Sequence, residues 1–124
     1  MKILLTITSL IEFTTGLALT IFPGKLVYFL FGVSLLQSTG EMVGRIAGIA
    51  LIALSLACWF ARNESHSSVV LTKSMLVYNL GVAISFLLAF FKYNLAGIGL
   101  WPALVLHIIF AGWCLKNIVA RNAG

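Results

Sequence analysis

The sequence predicts an all-α, polytopic membrane protein: four transmembrane helices in an antiparallel bundle, plus a short interfacial or re-entrant helix between the first two. Three observations carry the prediction. Hydrophobic residues make up 61% of the chain and charged residues 9%, whereas soluble domains hold about 45–50% and about 25%. The apolar residues gather into four long runs, at about 3–22, 41–62, 69–92 and 100–119. Each is long enough to cross a hydrocarbon core of about 30 Å at about 1.5 Å per residue. The breaks between runs are short, so residues 1–124 read as a single transmembrane domain.

The first run follows Met1-Lys2 and imitates a signal peptide. It extends to Phe22 without an A-x-A-like cleavage site, so it is expected to remain as the first helix. Pro23-Gly24 ends it, because proline cannot continue the hydrogen-bond ladder and glycine permits the turn. Residues 25–39 are apolar through Leu26–Phe31 but break at Gly32 and at Gln37-Ser38-Thr39-Gly40. That stretch is too short for a straight span, and Lys25 and Tyr28 suit the headgroup region.

The second span opens on Gly40, Gly44 and Gly48, which recur every fourth residue and form one smooth stripe. In lipid, apolar side chains gain little from burial against each other, so close backbone approach at small residues replaces that driving force. The stripe is expected to pack against helices of its own chain. A polar turn at 63–68 makes the second and third spans antiparallel neighbours, and Gly81, Ser85 and Ala89 give the third span a small-residue stripe of its own. After a turn at 93–99, the fourth span opens on Trp101-Pro102, where the missing N–H of a first-turn proline costs little. Trp59, Trp101 and Trp113 lie near run ends, as aromatic belts do.

The net charge is +5, with eight Lys/Arg against three Asp/Glu. The cations stand singly at the ends of apolar runs, with no cluster to follow a phosphate backbone, which excludes a nucleic-acid partner. Lys2, Arg62, Lys73, Lys116 and Arg121 fall on one side of four spans, and Lys25, Arg45 and Lys92 on the other. The excess places both termini in the cytoplasm of a bacterial inner membrane. Cys58 and Cys114 sit in apolar runs with no C-x-x-C, and His66 lies in a polar turn. Neither a redox pair nor a metal centre follows from them.

The informative residues are those that are costly in hydrocarbon. By helical rise, Glu12, Asn79 and His107 share roughly one depth near the middle of their spans, and Arg45 lies one turn into the second. An ionised Glu12 needs Arg45 or a protonated His107 as partner. Glu41, four residues before Arg45, competes for that guanidinium. Glu12, Arg45, Asn79 and His107 therefore form a candidate intramembrane polar site, which either lines a path or locks the helices in register through interhelical hydrogen bonds. No phosphate loop, nucleophile elbow or haem-ligand pair is present, so no catalytic residue is assigned.

In layout the chain resembles small four-helix bacterial inner-membrane proteins of the DoxX-like kind. The likeness rests on an early helix bearing Glu12, then Pro23-Gly24, then Leu30-Phe31-Gly32, then the Gly/Ala-rich Gly44-Arg45-Ile46-Ala47-Gly48. Some members of that group are subunits of quinone-reducing enzymes, so the resemblance implies an accessory role near electron transfer and carries over no catalytic residue. The chain also has the size of small multidrug exporters with a glutamate in the first helix. Ile11-Glu12-Phe13-Thr14-Thr15-Gly16 departs from their pattern, which leaves an analogy of layout only. The leading expectation is a non-enzymatic scaffold or accessory subunit that associates with other membrane subunits or itself, without a cofactor. A proton- or ion-coupled transporter using Glu12 is a second expectation. A quinone-binding subunit with His107 or Tyr78 as polar contact is a third.

Overall fold

A computed structural model describes residues 1–35 and 38–122, so Leu36 and Gln37 of the expected 25–39 segment lie outside the described residues. Among the described residues five helices follow in order: α1 Lys2–Ile21, α2 Pro23–Phe31, α3 Ser38–Ala61, α4 Ser65–Tyr93 and α5 Leu100–Asn122. Four of them, α1, α3, α4 and α5, are long and apolar enough to cross a membrane. Large apolar side chains stand on their outer faces, including Phe60, Val77 and Phe91, each more than 70% exposed. Such a surface calls for lipid.

The breaks have local causes. Phe22 leaves the helical region (φ −127°, ψ 55°) because a residue before proline avoids it, and Pro23 restarts the chain as the first residue of α2. Helix α2 stops at Gly32 in the left-handed region (φ 74°), with the Gly32 N–H donating to the Tyr28 carbonyl at 2.8 Å. Helix α4 begins at Ser65, earlier than the apolar pattern starts. The Ser68 N–H donates to the Glu64 carbonyl at 2.9 Å, and the Ser68 hydroxyl to the Ser65 carbonyl at 3.2 Å, so a polar first turn closes on itself. It ends at Asn94 (φ 52°), a residue type that tolerates this conformation.

Helix α1 packs chiefly on α3, and α4 on α5; the two pairs meet more sparsely, with α2 between them. The short polar turn joins α3 to α4, yet these neighbours in sequence share a smaller contact than α1 and α3 do. The glycine stripe explains the strong pair. A Cβ added at Gly48 would stand 2.7 Å from the Gly16 carbonyl, and one at Gly16 would stand 2.8 Å from the Gly48 carbonyl. The two backbones cross in direct contact there. Gly44 lies against Pro23, and Gly40 against the Leu35 side chain.

The stripe on α4 divides differently. Ala89 is buried, but Gly81 and Ser85 face outward, with nothing within 4 Å of a Cβ placed at Gly81. The buried face of α4 runs through Thr72, Met75, Asn79, Ala83 and Phe86. Positions 81 and 85 each fall two residues beyond a buried one, about 200° around a helix that turns about 100° per residue. Among the described residues nothing lies within 4 Å of a Cβ at Gly81, and Ser85 is exposed; its hydroxyl donates to the Gly81 carbonyl at 2.8 Å.

Two apolar clusters result. One, with Leu4, Leu5, Cys58, Met75, Phe110 and Cys114, lies at the end that carries the termini. The other, with Ala83, Phe86, Ala89, Leu100 and Leu104, lies at the opposite end. The polar residues near mid-span sit between them.

Candidate intramembrane site

Three of the four polar residues singled out in the sequence meet at mid-span. Glu12 of α1 is 4% exposed, and the Tyr78 hydroxyl of α4 donates to its Oε2 at 3.1 Å. Asn79, next to Tyr78, is fully buried, and its Nδ2 donates to the Met75 carbonyl at 2.7 Å. A backbone carbonyl only accepts, so this contact fixes which end of the amide is nitrogen. Asn79 Oδ1 therefore faces His107 Nδ1, at 2.8 Å. The His107 ring is set edge-on to both Tyr78 and Phe86, with centroids 5.8 Å apart in each case.

Arg45 does not join them. Its Nη1 donates to the Thr20 carbonyl in the last turn of α1 at 2.6 Å. The carbonyl end of a helix is the negative pole of its dipole and draws a cation. Glu12 lies eight residues earlier on the same helix, about 12 Å away by helical rise, so this anchorage holds Arg45 away from it. The partner of Glu12 is a phenol rather than a cation.

Two adjoining chambers border this cluster. The inner one encloses about 190 Å³ and is lined by Glu12, Tyr78 and His107 together with Phe29, Phe86 and Phe110 among others. The outer one holds about 510 Å³ between α2, α3 and α4, with Val27, Leu35, Val43 and Leu51 on its walls. Thr15, Leu26, Leu30, Tyr78, Phe86 and His107 line both. The outer chamber is almost wholly apolar, and its polar end is the mid-span cluster. That is the usual composition of a site for a small lipophilic molecule.

Helix α2 makes this space. Its last carbonyls have no partner within the helix. They receive the loop before α5 instead: the Gly99 N–H donates to the Phe29 carbonyl at 2.9 Å, and the Gly97 N–H to the Leu30 carbonyl at 3.0 Å. At Gly97 a Cβ would collide with the Phe29 and Leu30 backbone, so only glycine lets the loop come this close. Docked so, α2 keeps the two helix pairs apart over one half of the molecule.

Tyr78 is the residue that the sequence left in second place. It stood there as one possible contact for a quinone; in the structure it is the hydrogen-bond partner of Glu12. Its adjacency to Asn79 is the available signal, since consecutive helical residues point about 100° apart and so reach two different helices. The sequence also gave no sign that Thr8, Ser9, Ser55 and Thr72 are all buried; of these, the Thr8 hydroxyl has no partner among the described residues. Cys58 and Cys114 are free thiols in the first apolar cluster. Among the described residues, no group of three His, Cys, Asp or Glu side chains is placed to hold a metal ion.

Comparison with family models, with curated proteins and with solved structures gives no match. The functional reading therefore starts from the chambers and the side chains that line them.

Proposed function

We propose that this chain is a small accessory subunit of a bacterial inner-membrane assembly, with both termini cytoplasmic, and that it holds a lipid-soluble ring compound of the quinone class. The observation that carries the reading is the pair of chambers. The aromatic inner chamber of about 190 Å³, lined by Tyr78, His107 and Phe86, suits a substituted ring. The apolar outer chamber of about 510 Å³ receives the tail and faces lipid beside α2 and α3. Walls this apolar favour a lipophilic occupant over a hydrated ion, so transport through Glu12 is the weaker reading. The accessory role rests on the resemblance in layout to DoxX-like proteins read from the sequence.

The test is uptake. Protein in nanodiscs is exposed to a short-chain benzoquinone and its hydroquinone, then washed, extracted and assayed by absorbance. Retention near one molecule per chain is expected in one or both redox forms. Leu30→Trp, which adds bulk to a wall that both chambers share, is expected to lower retention at least tenfold, an effect of about 1.4 kcal/mol. Wild-type protein that retains neither form overturns the proposal.

A further inference from the structure

The hydrogen bonds at the inner chamber determine which kind of head group it takes. Asn79 presents Oδ1 to His107, because its Nδ2 is held by the Met75 carbonyl at 2.7 Å. An amide oxygen only accepts, so His107 Nδ1 carries the proton in that 2.8 Å bond. In a neutral imidazole the other nitrogen, Nε2, is then an acceptor. It has no partner among the described residues, and the ring lines both chambers. Tyr78 has a single hydroxyl proton and directs it to Glu12 Oε2 at 3.1 Å, so toward any further partner its oxygen is an acceptor, and Tyr78 lines the same chamber. Among the described residues lining the inner chamber none is Lys or Arg, and the one carboxyl, Glu12, has its Oε2 engaged by the Tyr78 hydroxyl.

We infer that the site selects a ligand whose head donates hydrogen bonds, the hydroquinone or a phenol, over the quinone, whose carbonyls only accept. This rests on the reading that a ring compound of that class binds here. A quinone carbonyl set against His107 Nε2 and the Tyr78 oxygen leaves acceptors facing acceptors, and an unmatched buried acceptor is costly. A ligand hydroxyl can donate to either of them, which a carbonyl cannot do. Preference for the reduced form also raises the potential of the bound couple, by about 30 mV for each tenfold in affinity of a two-electron couple.

The experiment uses the full chain in nanodiscs. A short-chain hydroquinone, kept reduced under argon, and its quinone are titrated separately and followed by intrinsic tryptophan fluorescence. The hydroquinone is expected to bind at least about tenfold more tightly. An alkylphenol is expected to bind and its methyl ether to bind at least about tenfold more weakly, which removes redox chemistry from the comparison. Asn79→Asp keeps an acceptor at His107 Nδ1 and is expected to retain the preference. Asn79→Leu frees the ring to move its proton to Nε2 and is expected to abolish it. Equal affinity for the two forms, or tighter quinone binding, overturns the inference and leaves the ring-binding proposal standing. Binding of neither form overturns both. Should Asn79→Leu fail to fold, the wild-type comparison and the phenol–ether pair still decide.

Discussion

The two ends of this molecule solve the same packing problem in opposite ways. At the end with the termini, α1, α3, α4 and α5 all contribute to one cluster, and buried hydroxyls on α1, α3 and α4 sit among its apolar side chains. At the other end, α4 and α5 pack on each other while α2 is wedged in, and the space left over becomes the chambers. The first end packs side chains of all four long helices together; the second holds α2 by backbone contacts at glycine and leaves the chambers beside it. The difference shows where helix association is separated from core filling. Small residues let backbones touch without occupying volume, so a site can persist beside a firm contact.

The largest effect that tests this contrast is Gly48→Val. The added carbons meet the Gly16 carbonyl and the Thr20 backbone, which cannot swing aside as a side chain does. The α1–α3 crossing must open, a cost of more than about 3 kcal/mol given that ordinary overpacking already costs about 1–3. The expected readout is loss of the monodisperse peak in detergent gel filtration. A valine variant that melts like wild type shows that backbone contact at this crossing does not hold the pair together.

Gly97→Ala comes next and separates the two ends. Its Cβ meets the Phe29 and Leu30 backbone, so the loop must lift and both hydrogen bonds to α2 weaken. A loss of about 1–3 kcal/mol is expected, concentrated on α2. Hydrogen exchange should quicken at the amides of position 97 and Gly99, which donate those bonds, and stay unchanged in the cluster around Leu5 and Met75. Uniform quickening shows that the two ends unfold as one unit.

A third comparison sets two buried polar residues against each other. Asn79 is bonded at both its nitrogen and its oxygen, and Asn79→Leu leaves His107 Nδ1 without its partner, an expected loss of about 1–3 kcal/mol. Thr8 has no partner among the described residues, so Thr8→Val, nearly equal in shape, is expected to be neutral or to stabilise by up to about 1 kcal/mol. Melting temperatures in one detergent measure both. A strongly destabilising Thr8→Val shows that this hydroxyl is bonded in the membrane.

How much of this was legible in the sequence follows from the period of each signal. The four spans were readable because a run of apolar residues needs no partner to be recognised. The shared depth of Glu12, Asn79 and His107 was readable because rise per residue is fixed. Helix pairing was not, since it depends on which face meets which neighbour. Arg45 shows the limit: the sequence put it within reach of Glu12, but the carbonyl end of α1 beside Pro23 offers it a nearer negative pole. The docking of Gly97 and Gly99 on α2 was equally hidden, because the contact spans more than sixty residues and leaves no local pattern.

The smallest expected effect is at Gly81. It shares its residue type with Gly48 and its i, i+4 spacing of small residues with Ser85, so a count of motifs treats the two helices alike. Geometry does not, since a Cβ at Gly81 meets nothing within 4 Å. Gly81→Val therefore changes the stability of an isolated chain by less than about 0.5 kcal/mol, the range for surface sites. Self-association is measured alongside, by cross-linking in lipid. An unchanged melt with unchanged cross-linking assigns Gly81 to the lipid-facing surface. An unchanged melt with lost cross-linking assigns it to a contact between copies. A destabilised monomer removes the distinction drawn here between glycines that touch backbone and glycines that face outward.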